Sequence, residues 1–254
     1  MPYANNRGVR IHYQVEGDGP PLVLQHGFSD SLESWYEAGY VAALQPQYQL
    51  ILIDARGHGA SDKPHDPSAY TVQHQAADVV AVLEALAIPR AHFFGYSMGG
   101  RIGFALAKYT PTRFHSFIIG GASPYGAPHD IQAQFLRLLQ QGAAAYVSMW
   151  EQQAAISPSL KARVLANDMD ALMALWRTRM EETPHLEDVL PTITQPCLLL
   201  TGTQDWSYTD IEACSQSIPQ VTLVTLPGLN HLEGFLQSDL ALPHVTQFLA
   251  TCLR

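Results

Sequence analysis

Positive charge is scarce in this chain of 254 residues: 14 Lys and Arg face 23 Asp and Glu, for a formal net charge of -9. That balance repels phosphate backbones and anionic lipid surfaces, and no cluster of Lys and Arg reverses it locally, so neither nucleic acid nor a membrane is expected as a partner. No run approaches the ~20 apolar residues that a membrane span requires, and the opening MPYANNRGVRIHYQVEGDG has no apolar core of signal-peptide type. A cytoplasmic location is the expectation. Cysteine is also sparse. Cys197, Cys214 and Cys252 are too few and too scattered for a disulfide framework or a zinc site. They read as reduced thiols, Cys197 opening a core strand and the other two lying in helices with at most partial exposure. No metal cluster or dinucleotide-binding fingerprint is evident, so no metal and no cofactor are expected. Internal repeats and low-complexity segments are absent too.

What the chain does have is ample material for a buried core, with 47% hydrophobic residues. Short apolar runs bounded by Gly, Pro or polar residues recur at 22–25, 50–53, 92–95, 117–120, 197–200 and 221–226. Runs of this kind suit parallel strands buried on both faces. Helical patterns separate them, most clearly at 70–87 and 98–109, so the expected fold is α/β: a mostly parallel, doubly wound sheet. The alternating VRIHYQVEG near the start suits an antiparallel edge strand. From about 124 to 190 the strand pattern stops and a long helical stretch carrying Trp150 and Trp176 takes over. This predicts a core domain from 1–123 and 191–254, with 124–190 inserted as a helical cap over the strand ends, where α/β folds bind ligands.

The strongest chemical signal is Gly95-Tyr96-Ser97-Met98-Gly99-Gly100, set between the strand-like HFF and the helix-like RIGFALAKY. A serine on a sharp strand-to-helix turn needs small neighbours, because flanking side chains would collide with the turn itself. Such a turn lifts the Ser97 hydroxyl off the sheet and places it at a helix N-terminus, which favours developing negative charge.

On these residues the chain resembles the α/β-hydrolase family along nearly its whole length. His26-Gly27-Phe28 resembles the family's oxyanion loop, and Asp54 to Asp62 (DARGHGASD) resembles the loop after its next strand. The family order of nucleophile, acid and histidine is met by Ser97, then Asp205 in LLLTGTQDW, then His231 in LPGLNH. A neutral serine is a weak nucleophile and needs a base in hydrogen-bond reach, a task suited to a histidine whose tautomer a carboxylate fixes. The resemblance also implies an oxyanion hole made by the backbone N–H groups of Phe28 and Met98. His26, His58 and the 54–62 loop are expected to brace the site rather than react. Asp210 and Glu212 fall in the next helix, facing away.

The same parts serve esterases, lactonases, thioesterases and carbon–carbon bond hydrolases, so fold alone does not select a reaction. A serine esterase forming an acyl-enzyme from a small or medium carboxylic ester is the expectation, acting as monomer or homodimer on a small molecule. Candidate substrate contacts are Tyr96, Arg101, Tyr125, Trp150 and Trp176. GYSMGGR resembles the elbow of the menaquinone-pathway synthase that eliminates pyruvate, in which case Arg101 would grip a carboxylate. An enol-lactone hydrolase is a comparable alternative, and a receptor that binds without turnover is an alternative of another class. Ser97 argues against dehalogenases and epoxide hydrolases, which resemble one another in using an Asp nucleophile.

Overall fold

A computed structural model describes residues 2–252. Eight strands form one sheet among these residues: β1 (Tyr3–Asn6), β2 (Val9–Glu16), β3 (Pro21–Gln25), β4 (Gln49–Ile53), β5 (Ala91–Tyr96), β6 (Phe114–Gly120), β7 (Cys197–Gly202) and β8 (Val221–Leu226). Their order is β1-β2-β4-β3-β5-β6-β7-β8, antiparallel at β1-β2 and β2-β4 and parallel thereafter. The expected α/β class, a mostly parallel doubly wound sheet, is what the chain adopts.

Alternation along each strand explains why the sheet is covered on both faces. Val23, Ile51, Phe93, Phe117, Ile119 and Leu199 point into one apolar layer, together with α3 (Val72–Ala85) and α4 (Met98–Tyr109). Their neighbours Leu24, Leu52, Phe94, Ile118 and Leu198 point into the other, which is closed by α1 (Glu33–Glu37), α2 (Tyr40–Leu44) and α11 (Ser238–Cys252). Burying one such side chain contributes about 1.5–3 kcal/mol, and this two-sided burial makes the central strands β3 to β7 read as unbroken apolar runs. Cys197 and Cys214 are buried, and Cys252 is half-buried.

Two expectations need correcting. The run at 221–226 is parallel but not buried on both faces, because β8 is the last strand of the sheet and Thr222 and Thr225 are exposed. The alternating segment is antiparallel but is not the edge, because β1 folds back on β2 and pairs Asn6 with Val9. Arg7 and Gly8 form the two-residue turn with φ of 54° and 88°, the doubly left-handed geometry that suits a tight hairpin. β1 was missed because four residues, two of them Asn, carry little apolar signal.

Between β6 and β7 lie α5 (His129–Gln140), α6 (Ala143–Gln153), α7 (Pro158–Leu165) and α8 (Met169–Glu181). They build a small core of their own from Leu139, Tyr146, Val147, Trp150, Leu160 and Val164. Phe28, Leu232 and Leu236 pack on that cluster from the sheet side. α8 also sends Ala171, Ala174 and Leu175 into the first apolar layer. Arg163 fastens the segment by reaching Asp30 at 3.2 Å and Glu37 at 2.6 Å.

Candidate active site

β5 ends at Tyr96 and α4 begins at Met98, leaving a single residue for the reversal. Ser97 makes it with φ 56° and ψ -114°, a left-handed conformation that costs a non-glycine residue of order 1–3 kcal/mol and persists only where the surroundings enforce it. They do so here by crowding. A Cβ on Gly95 would run into the Gly99 carbonyl, and one on Gly99 into that of Gln25. The Ser97 amide donates to the Gly120 carbonyl at 2.8 Å, tying the turn to β6.

His231 and Asp205 arrive from later crossovers. His231 lies between β8 and α10 (Glu233–Leu236), and Asp205 between β7 and α9 (Tyr208–Ser215). The three sequence-predicted side chains meet: His231 Nε2 is 2.9 Å from Ser97 Oγ, and His231 Nδ1 is 2.8 Å from Asp205 Oδ2. A carboxylate only accepts, so Nδ1 carries the proton and Nε2 is left as an acceptor for the serine hydroxyl. Asp205 Oδ1 accepts from the Ser207 amide at 2.8 Å and hydroxyl at 2.7 Å. Burial pushes the Asp205 carboxyl up, but the hydrogen bonds from His231 and Ser207 outweigh it and hold the group below the usual carboxylate value. Asp210 and Glu212 do lie on α9, outside this arrangement.

The His26-Gly27-Phe28 loop lies against the serine, since a Cβ on Gly27 would come within 3.3 Å of Ser97 Cβ. Neither the Phe28 nor the Met98 amide donates to a protein acceptor among the described residues. The neighbouring histidines have other duties. His26 Nε2 accepts from the Ala55 amide at 3.0 Å while Nδ1 donates to the Gly27 carbonyl at 2.7 Å. His58 Nε2 accepts from the Ser29 amide at 3.0 Å. Burial, with His26 beside it, pushes His58 down to about 3, so it stays neutral. Asp54 accepts from the amides of Leu32 and Ala60 and pairs with His12 at 2.7 Å, which braces the loop below.

The candidate substrate contacts do not converge as a group. Tyr96 is buried beneath His231 and donates its hydroxyl to the His231 carbonyl at 2.7 Å, so its polar end is already committed to backbone. Arg101 is buried and reaches Glu182 at 3.2 Å, so its charge is met by the protein. Trp150 packs beside Tyr146 inside the helical segment. Trp176 donates to the Gln132 carbonyl at 2.9 Å and packs on Phe135 and, edge-on, Phe28. Tyr125 is half-buried against the first apolar layer.

Three features escaped the sequence reading. Glu182 holds Arg101 and also accepts from the Val72 amide. A cleft of about 290 Å³ runs past Arg101, Gln132, Arg179, Glu182 and His185. Finally, Trp206 lies parallel to His231, ring centroids 3.8 Å apart at 26°. Its adjacency to Asp205 was the only available signal.

Sheet, elbow and histidine together define the class, and the chain belongs to the α/β-hydrolase fold family, whose model matches residues 20–172. It is an enzyme of that type. Among its relatives is 3-oxoadipate enol-lactonase 2 of Acinetobacter baylyi, 32% identical over 78% of this chain and 76% of that protein. A Bacillus subtilis protein provisionally named 2-succinyl-6-hydroxy-2,4-cyclohexadiene-1-carboxylate synthase is 24% identical over 95% of this chain and 96% of its own. The crystal structure of the enol-lactonase from Burkholderia xenovorans LB400 superposes with a TM-score of 0.86 at 24% identity, covering 98% of this chain and 100% of that one. No helix among the described residues is long and apolar enough to cross a membrane.

Proposed function

We propose that the chain hydrolyses a small or medium carboxylic ester through an acyl-enzyme, with Ser97 as nucleophile, His231 as base and Asp205 as the carboxylate that orients the base. The observation that carries this is the continuous chain of hydrogen bonds from Ser97 Oγ through His231 to Asp205, at 2.9 and 2.8 Å. Ser97 Oγ attacks the ester carbon as its proton passes to His231 Nε2. The carbonyl oxygen becomes an anion that the Phe28 and Met98 amides meet, and donors fixed in advance are each worth about 10²–10³ in rate. His231 then returns the proton to the departing alkoxide. A water molecule repeats the sequence to release the acid and restore Ser97. Helices α5 to α8 serve as the cap, with Phe28, Phe135 and Trp176 as an apolar wall for the acyl group.

A cyclic ester bearing a carboxylate is a second reading, in keeping with the enol-lactonase likeness. It is favoured by Arg179, whose guanidinium stands over Trp176 with no protein acceptor among the described residues beside the cleft. Burial and nearby Arg101 lower its pKa from the ordinary value, so an incoming anion would be stabilising there. The synthase reading is weaker, because Arg101 is engaged by Glu182.

The test is turnover of nitrophenyl esters from acetate to decanoate beside a carboxylate-bearing enol lactone, with Ser97→Ala as background. Ser97-dependent ester cleavage with a chain-length optimum is expected. Cleavage of the lactone alone, weakened by Arg179→Gln, would move the assignment to the second reading. Absence of Ser97-dependent cleavage of either would sink both.

A further inference from the structure

Among the described residues Trp206 is the most exposed of the large apolar side chains, at 69%. Its only aromatic neighbour among the described residues is His231, on which it stacks. An indole this exposed gains little from burial, which leaves the stacked imidazole as its main aromatic partner. Neutral imidazole offers dispersion and π-stacking. Imidazolium adds attraction between a cation and the electron-rich indole face. The contact is therefore stronger when His231 is charged, which is the condition that accelerates a reaction passing through the imidazolium.

We propose that Trp206 is a positioning residue for the base: it holds the His231 ring in line with Asp205 and Ser97 and stabilises the cation formed at each proton transfer. The inference rests on the reading of His231 as base. The other titratable groups facing His231 leave this role open. Asp205 supplies the negative charge in the ring plane at Nδ1. Tyr96, from β5, is kept protonated by burial and bonds to backbone. Glu233, from α10, accepts from the Asn230 amide at 3.0 Å. The Tyr96 ring is tilted 55° to the imidazole at 5.5 Å between centroids, so Trp206 alone among these groups stacks on the face of His231.

The experiment compares Trp206→Leu, apolar but without a π face, with Trp206→Phe, which keeps one. For Trp206→Leu we expect kcat/KM on the plateau to fall about two- to fivefold. Its acid limb should move about half a pH unit lower, because the imidazolium has lost a stabilising partner. Trp206→Phe should recover part of both. Trp206 also reports directly, since protonated imidazole quenches a stacked indole. The difference in emission between wild type and Trp206→Leu should fall on acidification, with the midpoint of the kinetic acid limb. A change in KM alone, with the limb unmoved, would overturn the proposal and make Trp206 a substrate wall. Emission that titrates away from the activity midpoint would instead overturn the reading of His231 as base, and this inference with it.

Discussion

His231 Nε2 and Ser97 Oγ stand 2.9 Å apart although 134 residues separate them in sequence. Each sits where the chain leaves the C-terminal end of a parallel strand, Ser97 after β5 and His231 after β8. Parallel strands end on the same edge of the sheet, so side chains from distant crossovers converge there without a long loop having to carry them.

Removing the serine hydroxyl tests that convergence. Ser97→Ala should abolish covalent labelling by an organophosphonate and lower ester turnover by about 10⁴-fold or more, with circular dichroism unchanged. Labelling that survives would place the nucleophile elsewhere.

Asp205→Asn should leave the packing intact while offering His231 Nδ1 a group that can donate. The histidine can then adopt the tautomer with a proton on Nε2, which cannot accept from Ser97, and kcat should fall by about 10³–10⁴. Because Asp205 is held below the usual carboxylate value, it remains charged as the wild-type acid limb is crossed. That limb therefore should not respond to changes at Ser207 as steeply as to changes at the histidine. Retention of more than a tenth of kcat in Asp205→Asn would contradict the assigned role.

Gly99→Ala should destabilise the fold by about 3 kcal/mol or more, because its methyl would enter the space of the Gln25 carbonyl where neither strand nor helix can retreat. Gly126→Ala is the control. Its nearest neighbour would be the end of the Gln132 side chain at 3.9 Å, and a change within about 0.5 kcal/mol is expected. Urea midpoints of the two variants that coincide would refute the steric account of the turn.

Stability should fall on acidification through two buried histidines. Burial pushes His58 down to about 3, and His92 down to about 4 with help from His115. Above pH ~6.5 both are neutral whether folded or not, so they contribute no pH dependence. Below it the unfolded chain takes up protons that the folded chain refuses, and each histidine costs up to about 1.4 kcal/mol per pH unit until its folded value is reached. Urea unfolding at pH 7, 6 and 5 should show this decline, and His92→Asn should make it shallower. An unchanged slope in that variant would mean that His92 is charged in the folded state.

The legible parts of the site were those whose signal is local. Gly95 and Gly99 flank Ser97 because the turn tolerates no Cβ there, a constraint contained in five consecutive residues. His26 and His58 could be set aside because the loops around them read as turns, and both prove bonded to backbone. Arg101 and Tyr96 were harder. Both sit beside the serine in sequence, yet one is held by Glu182, 81 residues away, and the other by the His231 carbonyl, 135 away. No spacing rule reports such partners.

By itself the sequence determined that β3 to β7 would be buried on both faces, where the serine turn falls, and the order in which serine, acid and histidine follow. These depend on periodicity and turn sterics, which act over a few residues. Only the tertiary structure decided that β1 and β8 take the two sheet edges, that Trp150 and Trp176 pack within the helical segment, and that Trp206 lies on His231. Those outcomes come from contacts between segments far apart in the chain, where apolar character says that a residue will be covered but not by what.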